Sequence, residues 1–347
     1  MIKIALLGFG TVGSGVAEVI DNNRRVISRR LGEQPEIAHI LDLRDFPDSP
    51  YAGKIVHDID TILADPEVRI VAEMMGGVHP AADFTKAAIE AGKSVVTSNK
   101  AVVAEEGDKL LRLARKHGVR YLFEASVGGG IPCLRTLADS LSCNDIISVR
   151  GILNGSTNYM LTEMTKRGIG YGDILPEARA LGYLEADPTA DVGGFDAARK
   201  IIILAAMAWG KLLPLDAVST VGITGITPGD ISAAAAAGKK IKLVAEATRT
   251  GGRISCSVSP RLTSPGSMLY SVDGPFNAVE INSSAAGMTL LYGCGAGKLP
   301  TASAVVSDII EAALRPSEDL PAYRWTKAGP DDILVPGGAD GIRPLCE

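Results

Sequence analysis

Residues 185–200 read EADPTADVGGFDAARK, with Asp196 and Lys200 four positions apart and Glu185, Asp187 and Asp191 ahead of them. Side chains at i and i+4 share one face of a helix, so the carboxylate can hold the ammonium in place. A positioned ammonium gives a proton to the alkoxide that forms when hydride reduces an aldehyde. The run IIILAAMAW after Lys200 sets the lysine at the mouth of a buried helix. Pro188 holds the preceding acids and Gly193–Gly194 loosen them, as in an acidic pocket for a substrate ammonium. The plainer alternative is a solvated ion pair contributing about 0.2–0.5 kcal/mol.

A second chemical motif opens the chain. GFGTVG, residues 8–13, follows the apolar run IKIALL and precedes a segment with Val12, Val16 and Val19 at helical spacing. In that setting Gly8 permits the tight turn, Gly10 lets backbone approach a pyrophosphate and Gly13 allows close helix–strand packing. The next strand ends LDLRD, offering Asp42 and Asp45 to a ribose diol, as NAD requires, and Arg44 to the 2′-phosphate of NADP. Both cofactors remain open on these residues. TSNKA, 97–101, puts Lys100 just past a strand end, either at a ligand edge or as the first residue of a helix capped by Ser98 or Asn99. EASVGGGIP, 124–132, exposes backbone to a ligand, to a monovalent cation, or serves as a hinge.

The elements that must carry these residues fall into two textures. Up to about Leu134, EIAHILDL, RIVAEMMGG, KSVVTSNK and VRYLFEAS read as strands, separated by amphipathic runs such as AADFTKAAIEAG and EEGDKLLRLARKHG. That alternation predicts an α/β fold, a Rossmann-type doubly wound parallel sheet. Beyond it, IISVRGILNGSTNYMLTEM, KKIKLVAEATR, GRISCSVS and NAVEINSS read as longer strands with fewer crossovers. They predict an α+β second domain, with an open sheet and helices on one face, to carry the substrate segment. The expected divisions are a dinucleotide-binding domain at 1–134 joined by a returning helix at 300–320, a second domain at 135–299, and a Pro/Gly-rich tail at 321–347.

Composition narrows the function class. A net charge of −5 speaks against nucleic-acid binding, which needs a basic excess. The five cysteines are scattered without a CxxC, which points to a reducing compartment. His39, His57, His79 and His117 lie far apart, with no zinc or triad spacing. The N-terminus is a poor secretory signal and no apolar run reaches a membrane span, so the expected location is the cytoplasm.

These blocks resemble the homoserine dehydrogenase family. Ala178, Gly182, Glu185, Asp187-Pro188, Asp191, Gly194, Asp196 and Lys200 match its signature with spacing kept. GILNGSTNYML (151–161), TSNKA, FEASVGGGIP and GAGKLPTASAVVSD are also similar to that family, over roughly residues 2 to 315. The resemblance implies NAD(P)-dependent interconversion of L-aspartate 4-semialdehyde and L-homoserine, in threonine and methionine biosynthesis. It implies Lys200 as acid–base residue supported by Asp196, Lys100 at the reaction centre, and Glu185 with Asp191 at the substrate. It adds Phe9, Thr11, Val12, Gly76, Ser98, Lys100 and Gly297 to the cofactor contacts, and a sodium ion at Glu124, Val127, Gly129 and Ile131. A homodimer through the second domain's sheet is implied as well.

Two positions depart from the pattern: Leu184 stands where a small residue is usual, and Ser156 where threonine is common. No ACT-type regulatory domain or aspartate kinase is read in the chain, so feedback control through such a domain is not expected. Another amino-acid or aldehyde dehydrogenase on the same scaffold, and a nucleotide-binding sensor without turnover, are the competing functions.

Overall fold

The computed structural model describes residues 1–335 except Ala186 and Glu318, together with the backbone of Arg343 and Pro344. The chain divides into two compact units, one of residues 1–132 with 296–325, the other of 133–295 with 326–347.

In the first unit, strands β1 (Ile2–Leu7), β2 (Pro35–Leu41), β3 (Ile55–Val56), β4 (Val68–Glu73), β5 (Ser94–Thr97) and β6 (Tyr121–Leu122) form one sheet in the order β3-β2-β1-β4-β5-β6. Every pairing is parallel. This is the doubly wound order of a dinucleotide-binding fold, with its switch point between β1 and β4. The strands are buried on both faces, which explains the near-continuous apolar runs IALL and IVA. Helices α1 (Thr11–Asn22), α2 (Arg24–Leu31), α3 (Ile59–Ala64), α4 (Ala81–Glu90) and α5 (Lys100–His117) form the crossovers. The helix Lys298–Leu314 packs on α1, and Ala302, Val305 and Ile309 enter the same core as Ile4, Leu6, Val16 and Ile20.

In the second unit, β7 (Ile146–Ile152), β8 (Lys240–Thr250), β9 (Arg253–Thr263), β10 (Phe276–Ser283) and β11 (Gly287–Cys294) make an antiparallel sheet in the order β11-β10-β7-β8-β9. Short strands Ser219–Thr220 and Arg343–Pro344 add to β9 in parallel. Helices α6 (Gly155–Arg167) and α7 (Tyr171–Ala180) pack against one another, and α8 (Phe195–Trp209) lies on β7, β8 and β9.

One expectation is corrected here. IISVRGILNGSTNYMLTEM is not one long strand: β7 ends at Ile152 and α6 begins at Gly155. The cause is local, since the Asn154 carboxamide accepts the Thr157 N–H at 2.8 Å and caps the helix. Residues 321–327 of the expected tail belong to the two units. Trp325 is 1% exposed and sits edge-on to Phe123 at 5.1 Å within the first unit, while Thr326–Lys327 pairs with Lys211–Leu212 within the second.

Candidate active site

In the first unit, β1 ends at Leu7 and α1 begins at Thr11, with Gly10 as its N-cap and no side chain bonded there. The first N–H groups of α1 thus face outward with the positive end of the helix dipole, the arrangement that receives a phosphate. The glycines divide the work. A Cβ on Gly13 would lie 2.1 Å from the Gly8 carbonyl oxygen, whereas one on Gly10 would meet nothing within 4 Å. Gly13 is demanded by the fold, and Gly10 leaves open the space a pyrophosphate would occupy. These residues fit a dinucleotide.

Around that turn, Phe9 is buried edge-on against Phe46 and donates its N–H to Asp42 Oδ2 at 2.8 Å. Asp42 also accepts the Arg44 N–H, Nε and Nη2, each at 3.0 Å. These hydrogen bonds from Arg44, outweighing the opposing effect of burial, hold the Asp42 carboxyl at about 2. A carboxylate offers roughly four lone-pair positions, and here four N–H groups fill them. Arg44 remains largely exposed, its guanidinium 5.0 Å from the centre of the Phe46 ring. Asp45 is exposed and pairs with His57.

Thr11 is exposed and Val12 half-buried in the first turn of α1. Gly76 is exposed on the loop after β4. Ser98 follows β5 and donates its N–H to the Glu73 carbonyl at 3.2 Å. Lys100 is the first residue of α5, whose N-cap Asn99 accepts the Ala101 and Val102 N–H groups. Gly297 is the N-cap of Lys298–Leu314. Glu124, Val127, Gly129 and Ile131 lie on an irregular loop after β6 that is buried throughout 121–129, with Gly128 and Gly129 at φ +73° and +55°. The Glu124 N–H is held by Asp308 Oδ2 at 2.8 Å. No cluster of three or more His, Cys, Asp or Glu side chains is gathered for a metal among the described residues. A sodium ion there would depend on backbone oxygens.

The second unit carries the lysine. Gly194 caps α8 at φ +85°, where an added Cβ would press on Thr220 and Val258. Asp196 lies in the first turn, at the end of the helix dipole that favours an anion. Lys200 Nζ donates to Asp196 Oδ2 and to the Leu153 carbonyl, both at 2.7 Å, and the lysine is only 8% exposed. Asn154 Nδ2 then bridges Asp191 Oδ1 at 2.7 Å and Asp196 Oδ2 at 2.9 Å. The structure therefore joins half-buried Asp191 to buried Asp196 and Lys200 in one network. Glu185 takes no part in it: it is exposed and holds no hydrogen bond or ion pair among the described residues. Leu184 is buried beside it, and Ser156 Oγ donates to the Tyr183 carbonyl at 2.6 Å.

Sequence reasoning missed Asn154, the hub of this network. Its signal was the NGST run, in which Asn sits three residues before a threonine at a helix start.

Comparison with known proteins agrees over nearly the whole chain. Residues 132–310 match the family model described as homoserine dehydrogenase, and 8–124 match the homoserine dehydrogenase NAD-binding domain. Homoserine dehydrogenase of Neisseria gonorrhoeae is 43% identical over 314 residues, 90% of this chain and 72% of that one. The Pseudomonas aeruginosa enzyme is 42% identical, over 92% and 74%. Among solved structures, the Thiobacillus denitrificans homoserine dehydrogenase superposes with TM-score 0.89 at 38% identity, over 99% of this chain and 79% of that one. A hyperthermophilic archaeal homoserine dehydrogenase mutant in complex with NADPH gives TM-score 0.77 at 29% identity, over 92% and 99%.

Proposed function

This chain belongs to the homoserine dehydrogenase family and is an NAD(P)-dependent oxidoreductase, and on that premise we propose how its residues divide the reaction. A bound nicotinamide would supply the hydride chemistry that interconverts L-homoserine, at its C4, and L-aspartate 4-semialdehyde. Lys200 handles the proton. As an amine it takes the hydroxyl proton during oxidation; as an ammonium it gives that proton to the nascent alkoxide during reduction.

One observation carries this reading. An ammonium has three N–H donors, and only two of those of Lys200 are engaged among the described residues, by Asp196 and by Leu153. The third is left for a substrate oxygen. Asp196 orients the lysine and balances its charge, and Asn154 orients Asp196. Exposed Glu185 serves the substrate ammonium, with Asp191 beside the network. Lys100 stands at the nicotinamide side. The testing experiment is homoserine oxidation by wild type and Lys200→Ala, with cofactor binding followed separately.

The filled lone pairs of Asp42 support NADP as the preferred cofactor, because no acceptor position is left for a ribose diol while the exposed Arg44 suits a 2′-phosphate. The cofactor contacts are the Gly8–Gly13 turn, including Phe9, Thr11 and Val12, then Arg44, Gly76, Ser98, Lys100 and Gly297. The buried 124–129 backbone and buried Ile131 support a sodium site at Glu124, Val127, Gly129 and Ile131; calorimetric titration with sodium chloride in a tetramethylammonium background tests it. Exposed Met288 and Tyr292 on outer strand β11 support a homodimer through this sheet, tested by light scattering. Cys143, Cys256 and Cys294 carry free thiols, which suits the cytoplasm; Cys346 lies outside the described residues. No described helix is long and apolar enough to cross a membrane.

A further inference from the structure

Glu73, the last residue of β4, is fully buried. Its Oε1 accepts the Met75 N–H at 2.7 Å and its Oε2 accepts the Thr97 hydroxyl at 2.6 Å, with Asn99 Nδ2 3.4 Å from Oε1. No cation pairs with it among the described residues, and burial pushes its carboxyl above the usual range. An apolar side chain would close a parallel strand at lower cost, since a buried carboxylate without a counter-ion disfavours folding.

Each partner of this carboxylate leads to a residue already assigned to the cofactor or the reaction. Met75 adjoins Gly76, and Met74 and Met75 are the atoms an added Cβ on Gly8 would touch. Thr97 Oγ1 accepts the Asn99 N–H at 2.8 Å. The Asn99 side chain reaches in two directions: Nδ2 donates to the Gly77 carbonyl at 2.7 Å, and Oδ1 caps α5, whose first residue is Lys100. Two loops from different crossovers are thereby tied at one buried point.

We infer that Glu73 is a positioning residue of the reaction, its carboxylate locking the Met75–Gly77 loop to the Thr97–Lys100 turn and so fixing Lys100 and the backbone at Gly76 and Ser98. The inference rests on the reading above that those residues serve the cofactor and the reaction. It makes the hydrogen-bond pattern decisive rather than the charge. Glutamine can keep that pattern, its oxygen facing the Met75 N–H and its amide donating to a rotated Thr97 hydroxyl.

The test uses the full chain and three readouts: NADPH affinity from cofactor fluorescence, kcat and KM for homoserine, and Tm. Glu73→Ala is expected to weaken NADPH binding and lower kcat by about tenfold or more each, while Glu73→Gln stays within about threefold of wild type. If Glu73→Ala fails to fold, Thr97→Val, which removes one hydroxyl, is expected to show the same paired loss. A variant that lowers Tm but leaves affinity and kcat unchanged overturns the inference, as does Glu73→Gln falling as far as Glu73→Ala. The affinity readout needs no turnover, so a wild type inactive on homoserine would defeat the functional reading and still let the Glu73 variants be compared.

Discussion

Lys200 Nζ lies 2.7 Å from Asp196 Oδ2, one helical turn back on α8, and the contact is buried at both ends. The i,i+4 geometry that would contribute little on a wet surface becomes a device for holding a charged lysine inside a core. The Leu153 carbonyl completes its fixation from the end of β7.

Asp196→Asn keeps the shape of that contact and removes its charge. We expect kcat to fall about 10- to 100-fold. NADPH affinity should stay within about threefold of wild type, because the Asp196 carboxylate bonds Lys200 and Asn154. A kcat within about threefold of wild type would show that Asp196 does not govern the lysine.

Asn154 is expected to act twice. Its Nδ2 bridges Asp191 and Asp196, and its Oδ1 caps α6. Asn154→Ala should cost about 1 kcal/mol of stability from the lost cap. It should also lower kcat in the folded enzyme; Asn154→Asp, which keeps a cap but sets a third carboxylate among two, should restore Tm and not kcat. Calorimetry and steady-state kinetics on the two variants separate the roles.

Gly10 and Gly13 should fail differently. Gly13→Ala drives a Cβ into the Gly8 carbonyl and should destabilise the fold by about 1–3 kcal/mol. Gly10→Ala meets no protein atom, so its Tm should match wild type while NADP affinity falls about tenfold or more. Equal loss of Tm in both would contradict the assignment of Gly10 to the ligand.

How far this was legible in sequence depended on range. The strand–glycine–helix unit at 2–22 and the Asp196–Lys200 pair are short patterns, readable from period and spacing. Lys100 was readable as a residue past a strand end, opening a helix capped by Ser98 or Asn99, and Asn99 is the cap. Asn154 and Glu73 escaped because their partners lie far off in sequence: Asn154 meets Asp191 and Asp196, and Glu73 meets Thr97 and Asn99. A glutamate ending a strand looks solvated until the neighbouring strand covers it. GMTLLYGC, which forms β11, was passed over because glycines near both ends blur its alternation.

Arg44 and Asp42 supply a cofactor test and a pH test. Arg44→Ser should weaken NADP binding about tenfold or more and leave NAD within about threefold. The folded Asp42 carboxyl is lowered to about 2 from an ordinary 3.8, chiefly by hydrogen bonds from the Arg44 side chain. Its depressed value means the stabilisation is present above pH 3.8 and is lost as pH falls through about 2. Wild type and Asp42→Asn should therefore differ in Tm at neutral pH and converge in acid, by thermal melts across that window.

We propose above all that Lys200 moves the proton. The most direct measurement is nicotinamide absorbance during homoserine oxidation by wild type and Lys200→Ala, with NADPH binding followed by fluorescence in both. Proton transfer by Lys200 entails a loss in kcat of about 10²- to 10⁴-fold in the variant, with cofactor affinity kept. A Lys200→Ala enzyme that still turns over within tenfold of wild type would contradict it.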